Sequence, residues 1–327
     1  MDLVTGATGF LGRALVRRLS AAGLRVRCLV RPGSGAPELS LPGVEVLRGD
    51  LLDQASLDAA AAGAGRVWHL GALVRAGGIL TLRKNTIAGF DELNAGAAGR
   101  LAHAAARAGV RRFIFFSSIA ALGPGENLRD DAGPRPVTFY GRAKLAAEGL
   151  LRRCSADTGL DCVILRPAMI YGPGPGSGTW EKLFAQVRRG KAAVPGRGEN
   201  TLSVCHIGSL LDAALLAAEK APPGAALNVS EGAIKVKDLV LLIGELVGRR
   251  PLLLKLPVPL LKAVSGALDP LLAAAGLYLP AFIGADRTRI LEACSSWSHN
   301  CEGLRALGWK PALSTREGLA DALGVKP

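Results

Sequence analysis

Two residues four apart, Tyr140 and Lys144 in YGRAK, place a phenol and an ammonium on one face of any helix that carries them. A free tyrosine titrates near pH ~10, and each unit of depression takes about 1.4 kcal/mol of preferential stabilisation of the anion. A fixed cation nearby works in that direction and would make Tyr140 an acid–base group usable near neutral pH. Far upstream, TGATGFLG (Thr5–Gly12) follows a strand-like DLVT and runs into the helix-like ALVRRLSAAG. Glycines at 6, 9 and 12 allow a tight turn, a bare-backbone approach to a pyrophosphate, and close packing of helix on strand. The phosphates would then lie on the free N–H groups of a helix N-terminus. A glycine triplet alone says little in a chain with 42 glycines among 327 residues, but its place between a first strand and a first helix is the context that dinucleotide binding needs. Between the two motifs, FIFFSSIAALGPG (Phe113–Gly125) opens as a continuously apolar run and then reaches a serine pair, as a buried parallel strand ending at a ligand would.

The elements needed to hold these groups follow from hydrophobic patterning. Strands are expected at Asp2–Thr5, Arg25–Val30, Val44–Leu47, Arg66–Leu70, Arg112–Ser117 and Asp161–Leu165, mostly separated by helical stretches rich in Ala, Leu and Arg. Such alternation implies a parallel sheet with right-handed crossovers. The stretch Thr201–Ala221 followed by Ala226–Val229 reads as one more strand, helix and strand returning to it. The acid that usually chelates the adenosine ribose at the end of the second strand is missing; RVRCLV is followed instead by Arg31-Pro-Gly-Ser34. A guanidinium there can pair with a 2′-phosphate, and Ser34 can add a hydroxyl donor, so NADP(H) is preferred with NAD(H) as the other possibility.

Composition narrows the class. The chain is long enough for a full core, and 49% hydrophobic residues exclude disorder. Six cysteines (28, 154, 162, 205, 294 and 301) form no CxxC, and with four scattered histidines they offer no zinc spacing, so no metal is expected. Cys28 and Cys162 fall in strands predicted to be buried, where thiols act as small apolar groups. A reducing, cytoplasmic setting and no signal peptide are expected. The formal charge of +13 is spread over helices without basic runs or interleaved aromatics, which argues against nucleic acid.

The order TGATGFLG, GDL, WHLGA, SS, PVTFYGRAK and LRPAMIYGPG resembles that of the extended short-chain dehydrogenase/reductases, or NAD-dependent epimerase/dehydratase family, over most of residues 1–230. SSIAALGPGEN, and Pro136 four residues before Tyr140, look nearest to the 3β-hydroxysteroid dehydrogenase branch. The resemblance implies an α/β fold, a Rossmann-type doubly wound parallel sheet with a smaller, mostly helical C-terminal substrate-binding region. Residues 1–171 would form the dinucleotide-binding domain, with 201–230 returning to its sheet, and 172–200 and 231–327 the lid. It further implies a catalytic set of Ser118 (rather than Ser117), Tyr140 as proton donor or acceptor, and Lys144 holding the nicotinamide ribose while lowering the Tyr140 pKa. The cofactor residues it implies are Gly6, Thr8, Gly9, Phe10, Leu11 and Gly12 at the pyrophosphate turn, Asp50 and Leu51 at the adenine, and His69, Gly71 and Ala72 below the pyrophosphate. Asn94 and Pro167 complete that set with Arg31 and Ser34. HLGA in place of HLAA, and NAGAA in place of NVxGT, are departures from the family pattern.

For the substrate, Met169 stands where sugar-nucleotide members carry an asparagine, and a thioether cannot supply an amide's hydrogen bonds. Pro251–Gly284 is strongly apolar but interrupted by Pro257, Pro259, Pro270 and Pro280, so no run reaches the ~20 residues of a membrane span. It reads as a buried helical lid or as an interfacial segment, with peripheral membrane contact through 252–283. The expected activity is interconversion of a secondary alcohol and a ketone on a small apolar, sterol-, terpenoid- or lipid-like substrate. The alternatives are a sugar-nucleotide epimerase or dehydratase that returns its hydride, and a non-catalytic dinucleotide-binding scaffold. A homodimer is compatible with this reading.

Overall fold

In the structure, a computed structural model, residues 1–73, 81–175, 178–274, 277–278 and 287–327 are described. In chain order the elements are β1 (Asp2–Thr5), α1 (Phe10–Ala21), β2 (Val26–Val30), β3 (Val44–Arg48), α2 (Gln54–Ala61), β4 (Arg66–His69), β5 (Thr81–Leu82), α3 (Arg83–Phe90) and α4 (Ala97–Arg107). They continue with β6 (Arg112–Phe116), β7 (Gly125–Leu128), α5 (Phe139–Thr158), β8 (Asp161–Pro167), β9 (Met169–Tyr171), α6 (Thr179–Arg188), β10 (Lys191–Pro195), β11 (Thr201–His206) and α7 (Ile207–Lys220). The last are β12 (Ala226–Val229), β13 (Gly232–Lys235), α8 (Val236–Leu246), β14 (Leu252–Leu256), α9 (Val258–Ala274), β15 (Leu277–Tyr278), α10 (Arg287–Cys294), β16 (Trp297–His299), α11 (Glu302–Ala306) and α12 (Thr315–Leu323).

Seven strands form one parallel sheet in the order β12-β8-β6-β4-β1-β2-β3. The expected doubly wound α/β sheet is present, and its order reverses beside β1, where such sheets bind ligands. Alternation along the strands feeds two cores. On β6, Phe113 and Phe115 face a cluster with Leu101 and Ala105 of α4 and Ala147 and Leu151 of α5. Ile114 and Phe116 face the opposite cluster, with Leu15 and Leu19 of α1 and Leu210 and Ala214 of α7. Fully buried strands explain why these segments read as continuous apolar runs. Cys28 and Cys162 lie in these two cores, and burial pushes both thiols up to about 12.

The strand expected at Thr201 forms but does not join the main sheet. Ala226–Val229 does return to the main sheet, but Thr201–His206 does not; β11 is instead the centre of a second sheet, flanked by β9, β13 and β16, with β7 beyond. The strand pattern was right, but pattern alone does not say which sheet a strand joins. A third core fills this smaller lobe, built on Tyr171, Trp180, Phe184, Val204, Leu239, Ile243 and Leu319. The apolar 251–284 segment also differs from a wholly helical lid, since it opens as strand β14 paired in parallel with β10 before α9 begins. Its residues 275–276 and 279–284, like 176–177 of the other lid segment, lie outside the described residues. Among the described residues, no helix is long and apolar enough to cross a membrane.

Helix α5, which carries Tyr140 and Lys144, is held at both ends. The Thr138 hydroxyl accepts from the Gly141 N–H at 2.9 Å, and Gly159 ends the helix in the left-handed region at φ 74°. Its first turn lies so close to the segment after β6 that a Cβ on Gly141 would stand 2.2 Å from the Ala120 carbonyl oxygen. At an open helical site Gly→Ala gains roughly 0.5–1 kcal/mol. Here Gly141→Ala is expected to reverse that sign and destabilise the protein by about 1–3 kcal/mol in urea unfolding, the range of overpacking.

Candidate active site

The turn after β1 sets the geometry of the nucleotide end. Gly6 has φ +69°, and a Cβ there would lie 2.7 Å from the Gly71 nitrogen, while one on Gly12 would lie 2.1 Å from the Gly6 carbonyl oxygen. Both positions therefore exclude any side chain. Gly9 is the N-cap of α1 without a side-chain cap, so the helix presents free backbone donors. At the glycine of HLGA, a Cβ on Gly71 would meet only the movable tip of Leu51, Cδ1, at 2.5 Å.

From this turn a cavity of about 610 Å³ runs along the carboxyl ends of the strands to α5. Its lining brings together Gly6, Thr8, Gly9, Phe10, Leu11, Gly12, Arg31, Ser34, Asp50, Leu51, Gly71, Ala72, Ser118, Tyr140, Lys144 and Pro167. Two expected cofactor residues stand behind the wall. His69 is fully buried with Nδ1 2.7 Å from Thr5 Oγ1, and burial first, then the Lys144 charge, holds it down to about 3, so it is neutral. Asn94 spends its amide on one residue, accepting from the Leu73 N–H at 2.6 Å and donating to the Leu73 carbonyl at 2.9 Å. It fixes the segment that lines the cavity rather than facing the cavity itself. Met169 also turns away and packs against the third core, leaving Ile170 as the cavity residue at that strand end.

At the adenine end the Asp50 carboxylate accepts from the Leu52 N–H at 2.9 Å. Arg31 is exposed and faces the cavity, and among the described residues its guanidinium has no hydrogen-bond or ion-pair partner. The loop beneath it is stapled by Arg48, whose Nη1 donates to the carbonyls of Ser34 at 2.5 Å and Arg31 at 3.3 Å. Arg48 gave no sequence signal; its role depends on β3 lying beside β2.

At the other end Ser118 caps a short 3-10 turn, its Oγ accepting from the Ala120 N–H at 3.1 Å, and it hydrogen-bonds Tyr140. Ser117, the other serine, also lines the cavity, but its hydroxyl donates to Glu148 Oε1 at 2.7 Å. Lys144 is buried, with Nζ donating to the Phe116 carbonyl at 2.7 Å and lying 4.6 Å from the Phe115 ring centre and 5.8 Å from that of Tyr140. The phenol differs from expectation. Burial raises it to about 12, with the Ser118 hydrogen bond pulling the other way, and Lys144 is not what moves it. Burial instead brings Lys144 down to about 7, against the pull of Glu148. Folded Lys144 thus binds fewer protons than unfolded Lys144 between about pH 7 and 10.5, so its burial cost is full below that window and is relieved as pH rises through it.

Sequence reasoning missed Glu148, one turn after Lys144, and the partnership of Arg166 with it. Glu148 is wholly buried and accepts from Arg166 Nε at 2.9 Å and Nη2 at 2.6 Å, from Ser117, and from Arg152 at 3.0 Å. Burial alone would raise its pKa, but these donors hold it below the usual carboxylate range. The legible signal was the i,i+4 spacing from Lys144 and a charge inside an otherwise apolar strand.

The cradle at Gly6–Gly12, the free donors of α1 and the length of the cavity fit a dinucleotide, with the nicotinamide end at Ser118, Tyr140 and Lys144. The profile of the NAD-dependent epimerase/dehydratase family matches residues 3–230, and the chain belongs to that family. It is an NAD(P)-dependent oxidoreductase of the short-chain dehydrogenase/reductase type. It is 32% identical over 228 residues to a 3 beta-hydroxysteroid dehydrogenase/Delta 5-->4-isomerase of Mycobacterium tuberculosis, covering 68% of this chain and 60% of that one. It is 40% identical over 171 residues to a ceramide reductase of Caulobacter vibrioides, covering 52% of this chain and 46% of that one. Thus the match spans about half of each of these two relatives. The solved structure of MoeE5 in complex with UDP-glucose and NAD superposes with TM-score 0.77 at 26% identity, covering 99% of this chain and 97% of that one.

Replacing Glu148 by Gln would leave the buried Arg166 guanidinium without its counter-charge. A loss of about 3–5 kcal/mol in urea unfolding is expected. Arg152→Ala, at the half-exposed end of the same network, should cost less than ~1 kcal/mol. Equal costs would mean that the pair is not what organises this region.

Proposed function

We propose that the chain is an NADP(H)-preferring oxidoreductase that interconverts a secondary alcohol and a ketone on an apolar, sterol-, terpenoid- or lipid-like substrate. The observation that carries the cofactor choice is Arg31, exposed at the adenine end of the cavity on a loop stapled by Arg48, with no acid at the end of β2. A guanidinium there attracts a 2′-phosphate, and the carboxylate that would repel it from the end of β2 is missing. Apolar substrate is supported by the wall near the catalytic groups, where Leu93, Ala168 and Ile170 line the cavity. The names of a steroid dehydrogenase and a ceramide reductase among the relatives point the same way.

The dinucleotide would supply or accept the hydride. The work of the chain is to hold the substrate oxygen between two hydroxyls. A phenol at about 12 keeps its proton at neutral pH, so Tyr140 is ready to donate it to a carbonyl oxygen as charge develops there. Ser118, hydrogen-bonded to Tyr140, polarises the same oxygen. Lys144 is fixed by the Phe116 carbonyl beneath the phenol, where its protonated form would favour the phenolate left once Tyr140 has given its proton to the substrate oxygen.

Arg31→Ala should weaken NADPH binding by about 1–3 kcal/mol, the loss of a charge-assisted hydrogen bond, and leave NADH binding nearly unchanged. Tyr140→Phe should lower turnover roughly a hundredfold or more while cofactor binding survives. Isothermal titration together with ketone-dependent NADPH oxidation reads both. An unmutated protein that binds NADH more tightly than NADPH would overturn the cofactor assignment, and near-normal turnover in the Phe variant would overturn the catalytic one.

A further inference from the structure

The pair β10–β14 presents an outer face that nothing in the described structure covers. Parallel strands are normally buried on both faces. Here the inner face packs on the third core through Ala192, Val194 and Leu253. On the outer face the register sets Lys191 beside Leu252, Ala193 beside Leu254 and Pro195 beside Leu256. The three leucines of this row are 65%, 42% and 40% exposed, and Leu260 at the start of α9 is 58% exposed. Three large apolar side chains in one row, with exposed Leu260 four residues further along the chain, are not the scattered exposure of an ordinary monomer.

The charge around them decides the occupant. Between Glu245 and Asp269 the sequence holds Arg249, Arg250, Lys255 and Lys262 and no carboxylate. Arg249, Arg250, Lys255 and Lys191 are exposed. A second copy seated on this face by a two-fold axis would bring like charges together. An anionic lipid surface instead offers hydrocarbon to the leucines and phosphate to the cations, whose stems reach past the apolar row to the headgroups.

We propose that the outer face of β10–β14, with the start of α9, is a docking surface for anionic phospholipid membranes. The attachment is peripheral: leucines enter the interface while Lys191, Arg249 and Arg250 meet headgroups. This surface is separate from the dinucleotide cavity, and the inference stands whether or not the proposed substrate class is correct.

Co-sedimentation of the full chain with phosphatidylglycerol/phosphatidylcholine vesicles tests it, with pure phosphatidylcholine vesicles for comparison. Binding is expected to the anionic vesicles at low salt, to weaken on adding salt, and to be much weaker on neutral ones. Arg249→Glu with Arg250→Glu should weaken it by about tenfold or more. Leu252→Ser with Leu254→Ser should weaken it at unchanged charge, while dinucleotide affinity, read by titration, stays at the unmutated value as proof of folding. No sedimentation with anionic vesicles at low salt would overturn the proposal. So would binding that neither pair of substitutions weakens, or a dimer in light scattering that the leucine substitutions dissociate.

Discussion

One buried carboxylate ties together the end of the cavity that holds Ser118, Tyr140 and Lys144. Glu148 projects from α5 between β6 and β8, and its two oxygens take the Arg166 fork, the Ser117 hydroxyl and Arg152. Because Ser118 follows Ser117 and Lys144 precedes Glu148 by one helical turn, this network sets the register of the serine against the Tyr140–Lys144 face. Arg166 extends it, donating to the Asp130 carbonyl at 2.8 Å and so reaching the segment that leads into α5. A buried ion pair is a poor source of net stability, since desolvation consumes most of its Coulombic gain. Its value here lies in having one satisfied arrangement and costly alternatives.

Tyr140 and Lys144 are shifted by desolvation more than by each other. Burial raises Tyr140 and lowers Lys144, so the unassisted chain favours a neutral phenol and an ammonium that gives up its proton easily. The Ser118 hydrogen bond and the Glu148 charge temper these shifts in opposite senses. This is consistent with a site that donates a proton during reduction. The nucleotide end works by different physics, through backbone donors exposed where Gly6 and Gly12 allow strand and helix to meet. The second lobe, centred on β11 and the core around Tyr171 and Trp180, contributes Ile170 of β9 to the cavity wall.

Much of this was legible in the sequence because the relevant constraints are local. The glycine turn, the apolar strands and the Tyr-x-x-x-Lys face each depend on neighbours within about one helical turn or one strand. The choice of Ser118 over Ser117 came from the family pattern, and the two hydroxyls do differ in their contacts: that of Ser117 is spent on Glu148, while that of Ser118 caps the following turn. What escaped depends on contacts between distant segments. The place of β11 in a second sheet is decided by β9 and β16, not by its own alternation. Asn94 and Met169 lie at the positions of the expected motifs, yet their side chains turn to Leu73 and to the third core. The Tyr140 pKa could not be judged from a neighbouring lysine, because burial is a property of the whole fold.

The proposed exchange of hydride between a diffusible dinucleotide and an apolar ketone at Ser118, Tyr140 and Lys144 is met most directly by counting NADPH consumed against alcohol formed, with a hydrophobic ketone in one reaction and UDP-glucose in another. One NADPH oxidised per ketone reduced, and no conversion of the sugar nucleotide, is expected. Interconversion of the sugar nucleotide with no net change in cofactor would contradict it.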